Sequence, residues 1–313
     1  MKFKKIVTIG IRAESLDTEY WAKIDARADK RVSLPKDSSE ISTALADADC
    51  LLVAFGTPVT DAMIDAAANL RYIGVLATAY GRVDVERAKA SGIRVSNIPG
   101  YSTEAVAEFS IAAILESVRN LEEGKRRGRA GEYSEVGLTA REIKGSVFGV
   151  IGLGSIGRRV AEIAHGFGAD VRYWSREQKD APFQYQDADT LIAEADFLSL
   201  NLAQTRETER FLNTKRVQSL KSGVVVVTTV PMELVDVDAL IERLAVGDIT
   251  FILDHADEVT KEKMAILSQC KNCIIYPPIA YITTEARVAK QKIFLENMEN
   301  FLKGSPMNRA NEV

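Results

Sequence analysis

Apolar residues along the chain come in two rhythms. Short, nearly continuous runs rich in Val, Ile, Leu and Phe stand at residues 5–9, 72–76, 94–96, 147–151, 170–174, 196–201, 223–229, 250–254 and 273–276, and another is reached through 46–55. Unbroken β-branched runs of this length suit strands covered on both faces. Between them, apolar positions recur at helical spacing. Residues 60–69 read as a helix capped by Thr60 with Asp61 in its first turn, and residues 85–91 as a helix stopped by Gly92. Asn97-Ile-Pro-Gly-Tyr-Ser-Thr-Glu-Ala-Val-Ala-Glu108 is a turn running into a longer helix, capped by Ser102 or Thr103, with Val106, Phe109, Ala113, Ile114 and Val118 in register. A polar, glycine-bearing stretch covers 124–145, and a last helix at 284–303 is expected to return to the first domain. Strands alternating with helices predict α/β layers around mainly parallel sheets. With the boundary at the start of the long helix, the domains fall at 1–99 with 286–313, and at 100–285.

One stretch carries chemistry as well as pattern. The run 147–151 enters Gly152-Leu-Gly154-Ser155-Ile156-Gly157, and a helix with apolar Val160, Ala161, Ile163 and Ala164 leaves it. Strand, G-x-G-x-x-G turn and helix in this order form a dinucleotide fingerprint. Gly152 makes the tight turn, Gly154 lets backbone approach a pyrophosphate, and Gly157 lets helix and strand pack closely. The helix start then offers N–H groups and partial positive charge to phosphate. The next strand ends in Ser175-Arg176, where an acid for the ribose hydroxyls of NAD is expected. Hydroxyl and guanidinium suit a ribose phosphate instead, so NADP is favoured, with Glu177 leaving NAD open.

Composition narrows the classes. Hydrophobic residues make up 46% and charged residues 27% of 313, and the formal net charge is −4, which gives no electrostatic reason to expect nucleic acid. The basic cluster Lys125-Arg-Arg-Gly-Arg129 reads as a solvated helix end or an oligomer contact. The amino terminus lacks the apolar core of a signal peptide and no run reaches membrane-spanning length, so a cytoplasmic protein is expected. Cys50, Cys270 and Cys273 are an odd set that disfavours a disulfide framework, and the Cys270-x-x-Cys273 pair has no second ligand pair for a metal.

Taken together, the 97–108 motif, the glycine turn, Asp196-Phe-Leu-Ser-Leu-Asn-Leu, Leu234-Val-Asp-Val-Asp-Ala-Leu-Ile and Phe251-Ile-Leu-Asp254 resemble the landmarks of the D-isomer-specific 2-hydroxyacid dehydrogenase family, in its order. The resemblance implies a Rossmann-type doubly wound parallel sheet plus a flavodoxin-like α/β domain, with a cleft between domains that closes over the cofactor. It also implies a homodimer formed through the helix that follows Tyr101, cofactor contacts from Thr229 and Asp254, and a 2-hydroxy or 2-keto acid as small-molecule substrate. Reduction of such a keto acid leaves an alkoxide that needs a proton, and the substrate carboxylate needs a cation. The family supplies a histidine, a glutamate that orients it and an arginine.

This sequence departs from that pattern at all three. Counting along the landmarks puts Pro231 at the arginine, Val259 at the glutamate and Pro278 at the histidine. The first-domain loop Leu76-Ala-Thr-Ala-Tyr-Gly-Arg-Val-Asp84 also has alanines where backbone amides would meet a carboxylate. Candidate substitutes are His255, with Asp257 or Glu258 as partners, and Tyr281. Tyr80 and Tyr101 are further candidate proton donors alongside Tyr281, Arg82 could replace the cation, and His165 reads as a packing residue. Two readings follow: an NAD(P)-dependent oxidoreductase with an altered substrate end, or a nucleotide-binding protein without turnover that acts as sensor, subunit or scaffold.

Overall fold

The structure, a computed structural model, describes residues 1–256 and 258–305. It divides into two compact units, Met1–Ser102 with Thr283–Val313, and Thr103–Ile282.

In the first unit the chain runs β1 (Phe3–Ile9), α1 (Thr18–Asp25), β2 (Ala28–Leu34), α2 (Ile41–Leu45), β3 (Cys50–Ala54), α3 (Asp61–Ala66), β4 (Tyr72–Leu76), α4 (Val85–Ala90) and β5 (Arg94–Ser96). The strands form one parallel sheet in the order β2-β1-β3-β4-β5, which is the flavodoxin-like order. Thr60 caps α3 by accepting from Met63 N–H, but that helix ends at Ala66, because Ala67 leaves helical geometry to pack its methyl and Leu70 into the core. The unit's other face is completed from the far end of the sequence. Phe294, Leu295, Met298 and Leu302 of a last helix cover Phe3, Ile6, Leu52 and Tyr72, and the Phe301 ring stacks on Phe3 at 5.8 Å.

The second unit opens with α5 (Thr103–Val118) and α6 (Leu121–Arg129), so the basic cluster lies in the last turns of a helix, where cations oppose its negative end. Then come β6 (Val147–Ile151), α7 (Ser155–Gly166), β7 (Asp170–Trp174), β8 (Gln184–Tyr185), α8 (Ala188–Glu194), β9 (Phe197–Leu200), α9 (Thr214–Ser219), β10 (Val225–Thr228), α10 (Val237–Val246), β11 (Thr250–Leu253), α11 (Lys261–Leu267) and β12 (Cys273–Ile275). The last helix, α12 (Thr284–Lys303), belongs to the first unit. All seven strands are parallel, in the order β12-β11-β10-β9-β6-β7-β8. Val225 and Val227 face one layer with α5 and α7, while Val226 faces the layer of α8, α9 and α10. Both faces are therefore covered, as the apolar runs require.

Strand order reverses between β6 and β9, since the chain moves from β6 outward to β8 and then crosses back to β9. Open α/β sheets bind ligands at the carboxyl ends of strands at such a reversal. The glycine turn follows β6 there, and Asn201 follows β9.

Candidate functional site

The turn is pinned from both sides. Gly152 N–H donates to Trp174 O at 2.7 Å, Asn201 N–H to Ile151 O at 2.8 Å, and Leu153 N–H to Ser175 Oγ at 2.8 Å. Gly152 has φ of +94°, and a Cβ there would meet Asn201 O at 2.9 Å. A Cβ on Gly157 would fall 2.0 Å from Gly152 O, so nothing larger than glycine fits under the helix start. Gly154 differs: it is exposed, has φ of −79°, and a Cβ on it would have no atom within 4 Å. The open space faces the first turn of α7, which has no side-chain cap and no acidic residue. Its leading N–H groups, with Ser155 exposed and Ile156 half-buried beside them, are left for an anion.

At the end of β7, Ser175 is buried and its Oγ is spent on Leu153 N–H, so the hydroxyl holds the glycine turn. Arg176 is exposed, and its Nη1 stands 3.2 Å from Oε2 of Glu207 in the loop after β9. Glu207 carries no signal in the sequence, because only the fold brings the two loops together.

At the ends of β10 to β12 the remaining candidates assemble. Thr229 directly follows β10, and Pro231 opens a tight turn over Met232–Leu234. Asp254 follows β11 and is 2% exposed. Its Oδ2 accepts from Ala280 N–H at 2.9 Å, and its Oδ1 is shielded from solvent with no partner. Burial pushes this carboxyl upward, opposed by the Ala280 N–H. A buried acceptor left unpaired costs about 1–3 kcal/mol, a cost that a ligand N–H would relieve. Tyr281, the residue after Ala280, is exposed. His255 is half-buried and makes no hydrogen bond or ion pair among the described residues. Asp257, one of its suggested partners, lies outside the described residues, and Glu258 is exposed. Val259 packs on the core beside Ala256, and Pro278 is half-buried. Tyr276, two residues before Pro278, donates its hydroxyl to Glu116 Oε2 of α5 at 2.5 Å, a bond that holds the glutamate down, while burial and then this bond push the phenol up. His165 is exposed near the end of α7 with its ring 6.0 Å from Phe183, and Cys273 is buried, its thiol pushed up to about 12.

Fold and glycine turn together define a nucleotide-binding α/β protein of the Rossmann type, paired with a flavodoxin-like unit. The profile described as "D-isomer specific 2-hydroxyacid dehydrogenase, NAD binding domain" matches residues 111–280. The chain is 31% identical over 282 residues to a glyoxylate reductase of Thermococcus litoralis, covering 85% of this chain and 84% of that one. The chain therefore belongs to the D-isomer-specific 2-hydroxyacid dehydrogenase family. Among solved structures it superposes with a TM-score of 0.87 and 28% identity on an acyclic imino acid reductase in complex with NADPH and D-Arg, over 97% of this chain and 99% of that one. It superposes with a TM-score of 0.88 and 25% identity on the D-lactate dehydrogenase of Aquifex aeolicus complexed with NAD and lactic acid, over 98% and 99%. These relationships support an NAD(P)-dependent function of the 2-hydroxyacid dehydrogenase type, with NAD or NADP as cofactor. No helix among the described residues is long and apolar enough to cross a membrane.

Proposed function

We propose that the chain is an NADPH-dependent reductase of this family with a rebuilt substrate end. The observation that carries it is the open start of α7: a backbone cradle at Gly154 with room for a pyrophosphate, beside the exposed guanidinium of Arg176. In this reading the amides of Gly154, Ser155, Ile156 and Gly157 hold the pyrophosphate, and Arg176 holds the ribose phosphate. Ser175 shapes the turn. Thr229 lines the nicotinamide end, and the orphaned Oδ1 of Asp254 takes the carboxamide N–H. NADPH bound there supplies a hydride, and the substrate class is a small carbonyl compound or its relative. The imino acid reductase among the structural neighbours supports a substrate range wider than keto acids. The replacement of the family's arginine, glutamate and histidine by Pro231, Val259 and Pro278 favours a second reading, binding of NADP(H) without turnover.

Cofactor choice is testable by fluorescence titration of NADPH and NADH at fixed salt. NADPH is expected to bind at least about tenfold more tightly, a difference of about 1.4 kcal/mol, and Arg176→Ala to remove the preference. Equal or tighter binding of NADH to the wild type would sink the reading. Because Glu207 competes for the same guanidinium, Glu207→Gln is expected to tighten NADPH by no more than about fivefold, the ceiling for an exposed pair, and to leave NADH unchanged.

A further inference from the structure

Tyr173 of β7 puts a polar group where the core needs only apolar ones. It is fully buried in the layer formed with α5 and α7, and its ring meets that of Tyr185 edge-on at 5.5 Å. A buried hydroxyl must find partners. This one finds the backbone of the strand's own exit loop: it accepts from Lys179 N–H at 2.9 Å and donates to Lys179 O at 2.8 Å. Residues 174–178 are thereby strapped into a closed loop, and that loop carries Arg176.

Further bonds fasten the same loop at both ends. Ser175 Oγ accepts from Leu153 N–H, Ser175 O accepts from the Tyr185 hydroxyl at 3.4 Å, and Asp180 O accepts from Arg158 Nη2 at 2.9 Å. Arg158 stands in the first turn of α7, so the loop is tied to the helix whose start is open to an anion. None of these bonds uses the Arg176 guanidinium. Its ion pair among the described residues is with Glu207, since Glu177 of the same loop lies 3.9 Å from Lys179 Nζ. An exposed pair is weak, and a phosphate carrying close to two negative charges displaces the glutamate. Fixing the loop backbone beforehand removes the cost of ordering it when that phosphate arrives.

We infer that Tyr173 is a positioning residue for coenzyme choice: by holding both backbone groups of Lys179, its hydroxyl fixes the loop that presents Arg176 to a ribose 2′-phosphate. This rests on the NADPH reading above and adds the element that makes it selective. NADH has a hydroxyl in place of that phosphate and gains nothing through Arg176, so it does not depend on the strap.

The test titrates the full chain with NADPH and NADH, and with adenosine 2′,5′-bisphosphate and AMP to isolate the adenosine end. Tyr173→Phe keeps the ring and removes the hydroxyl. The ratio of NADPH to NADH affinity is expected to fall at least about fivefold, with NADH itself changing by less than about twofold. The ratio for bisphosphate over AMP should fall in parallel, whereas a general loss of structure would weaken all four ligands together. In an Arg176→Ala background the same substitution is expected to leave the ratio where it is, because the strap acts through the guanidinium. Should Tyr173→Phe not fold, Arg158→Ala releases the loop at Asp180 and is expected to lower the ratio at least about twofold. A wild-type preference for NADPH that survives whichever of these variants folds, or a loss that adds to that of Arg176→Ala, overturns the role of Tyr173 and leaves the NADPH reading intact. A wild type without the preference overturns both.

Discussion

Gly157→Ala is expected to prevent the nucleotide unit from reaching its native fold, whereas Gly154→Ala three residues earlier should fold normally and bind the cofactor poorly. The two glycines belong to one turn and differ in what a methyl group would meet. At Gly157 the new Cβ lies 2.0 Å from the carbonyl oxygen of Gly152, and that carbonyl is fixed by the φ of +94° at Gly152 and by the bond from Gly152 N–H to Trp174. Relief requires α7 to lift from β6, breaking the packing of Val160, Ala161 and Ala164 on Phe148 and Val150. Overpacking and lost core contacts together place the cost at about 4 kcal/mol or more. At Gly154 the Cβ meets nothing and the backbone is ordinary, so stability should change by less than about 1 kcal/mol. The same methyl intrudes on the space in front of the helix start, and NADPH should bind at least about tenfold more weakly. Circular dichroism melts and fluorescence titration of both variants decide the matter. A folded Gly157→Ala protein with a wild-type melting point would show that α7 and β6 do not approach as described, and unaltered NADPH binding by Gly154→Ala would move the pyrophosphate elsewhere.

The second large effect is expected at Asp236. Its Oδ1 caps α10 through Ala239 N–H, and its Oδ2 accepts from Arg210 Nη2 at 2.5 Å and Thr214 Oγ1 at 2.7 Å. The Thr214 hydroxyl and then the Arg210 guanidinium hold the carboxyl down at about 2, against 3.8 for a free aspartate. A carboxyl depressed on folding stabilises the native state above its unfolded value and loses that contribution as pH falls through the folded one. Asp236→Ala should therefore cost about 2–3 kcal/mol at neutral pH, combining the lost cap with the lost charge-assisted bonds. That is about 5 °C in melting point for a unit of this size. The gap between wild type and variant should narrow as pH is lowered from about 4 toward 2. A gap that stays constant across this window would show that Asp236 acts through packing alone.

Asp236 also explains why ancestry was legible in the sequence while chemistry was not. The Leu234-Val-Asp landmark is held by structure: Leu212 N–H donates to Leu234 O, Asp236 N–H to Leu212 O, and the carboxylate ties three elements together. The 97–108 landmark is similar, with Asn97 Nδ2 on Thr78 O at 2.5 Å and Asn297 Nδ2 on Asn97 O at 2.7 Å. Such residues serve the fold, and they mark the sequence whatever chemistry stands beside them. Core strands announced themselves through continuous apolar runs. Strands β2 and β8 did not, because both lie at sheet edges and carry Asp29, Lys30 and Gln184 toward water. At the candidate site, the glycine turn was readable because its geometry leaves glycine alone. The inward turn of Ser175 and the reach of Glu207 to Arg176 depend on loop conformations that periodicity does not encode.

The descent of α12 onto Phe3 and Tyr72 sets a timetable for biosynthesis. A ribosome releases every strand of the middle unit before it has made the twenty residues of that helix, so the later-starting unit is free to finish first. Until α12 emerges, the opening third of the polypeptide carries a bare aromatic face at Phe3 and Tyr72, the surface that chaperones would be expected to guard. Truncation within α12 should therefore harm the part of the nascent chain that was translated earliest.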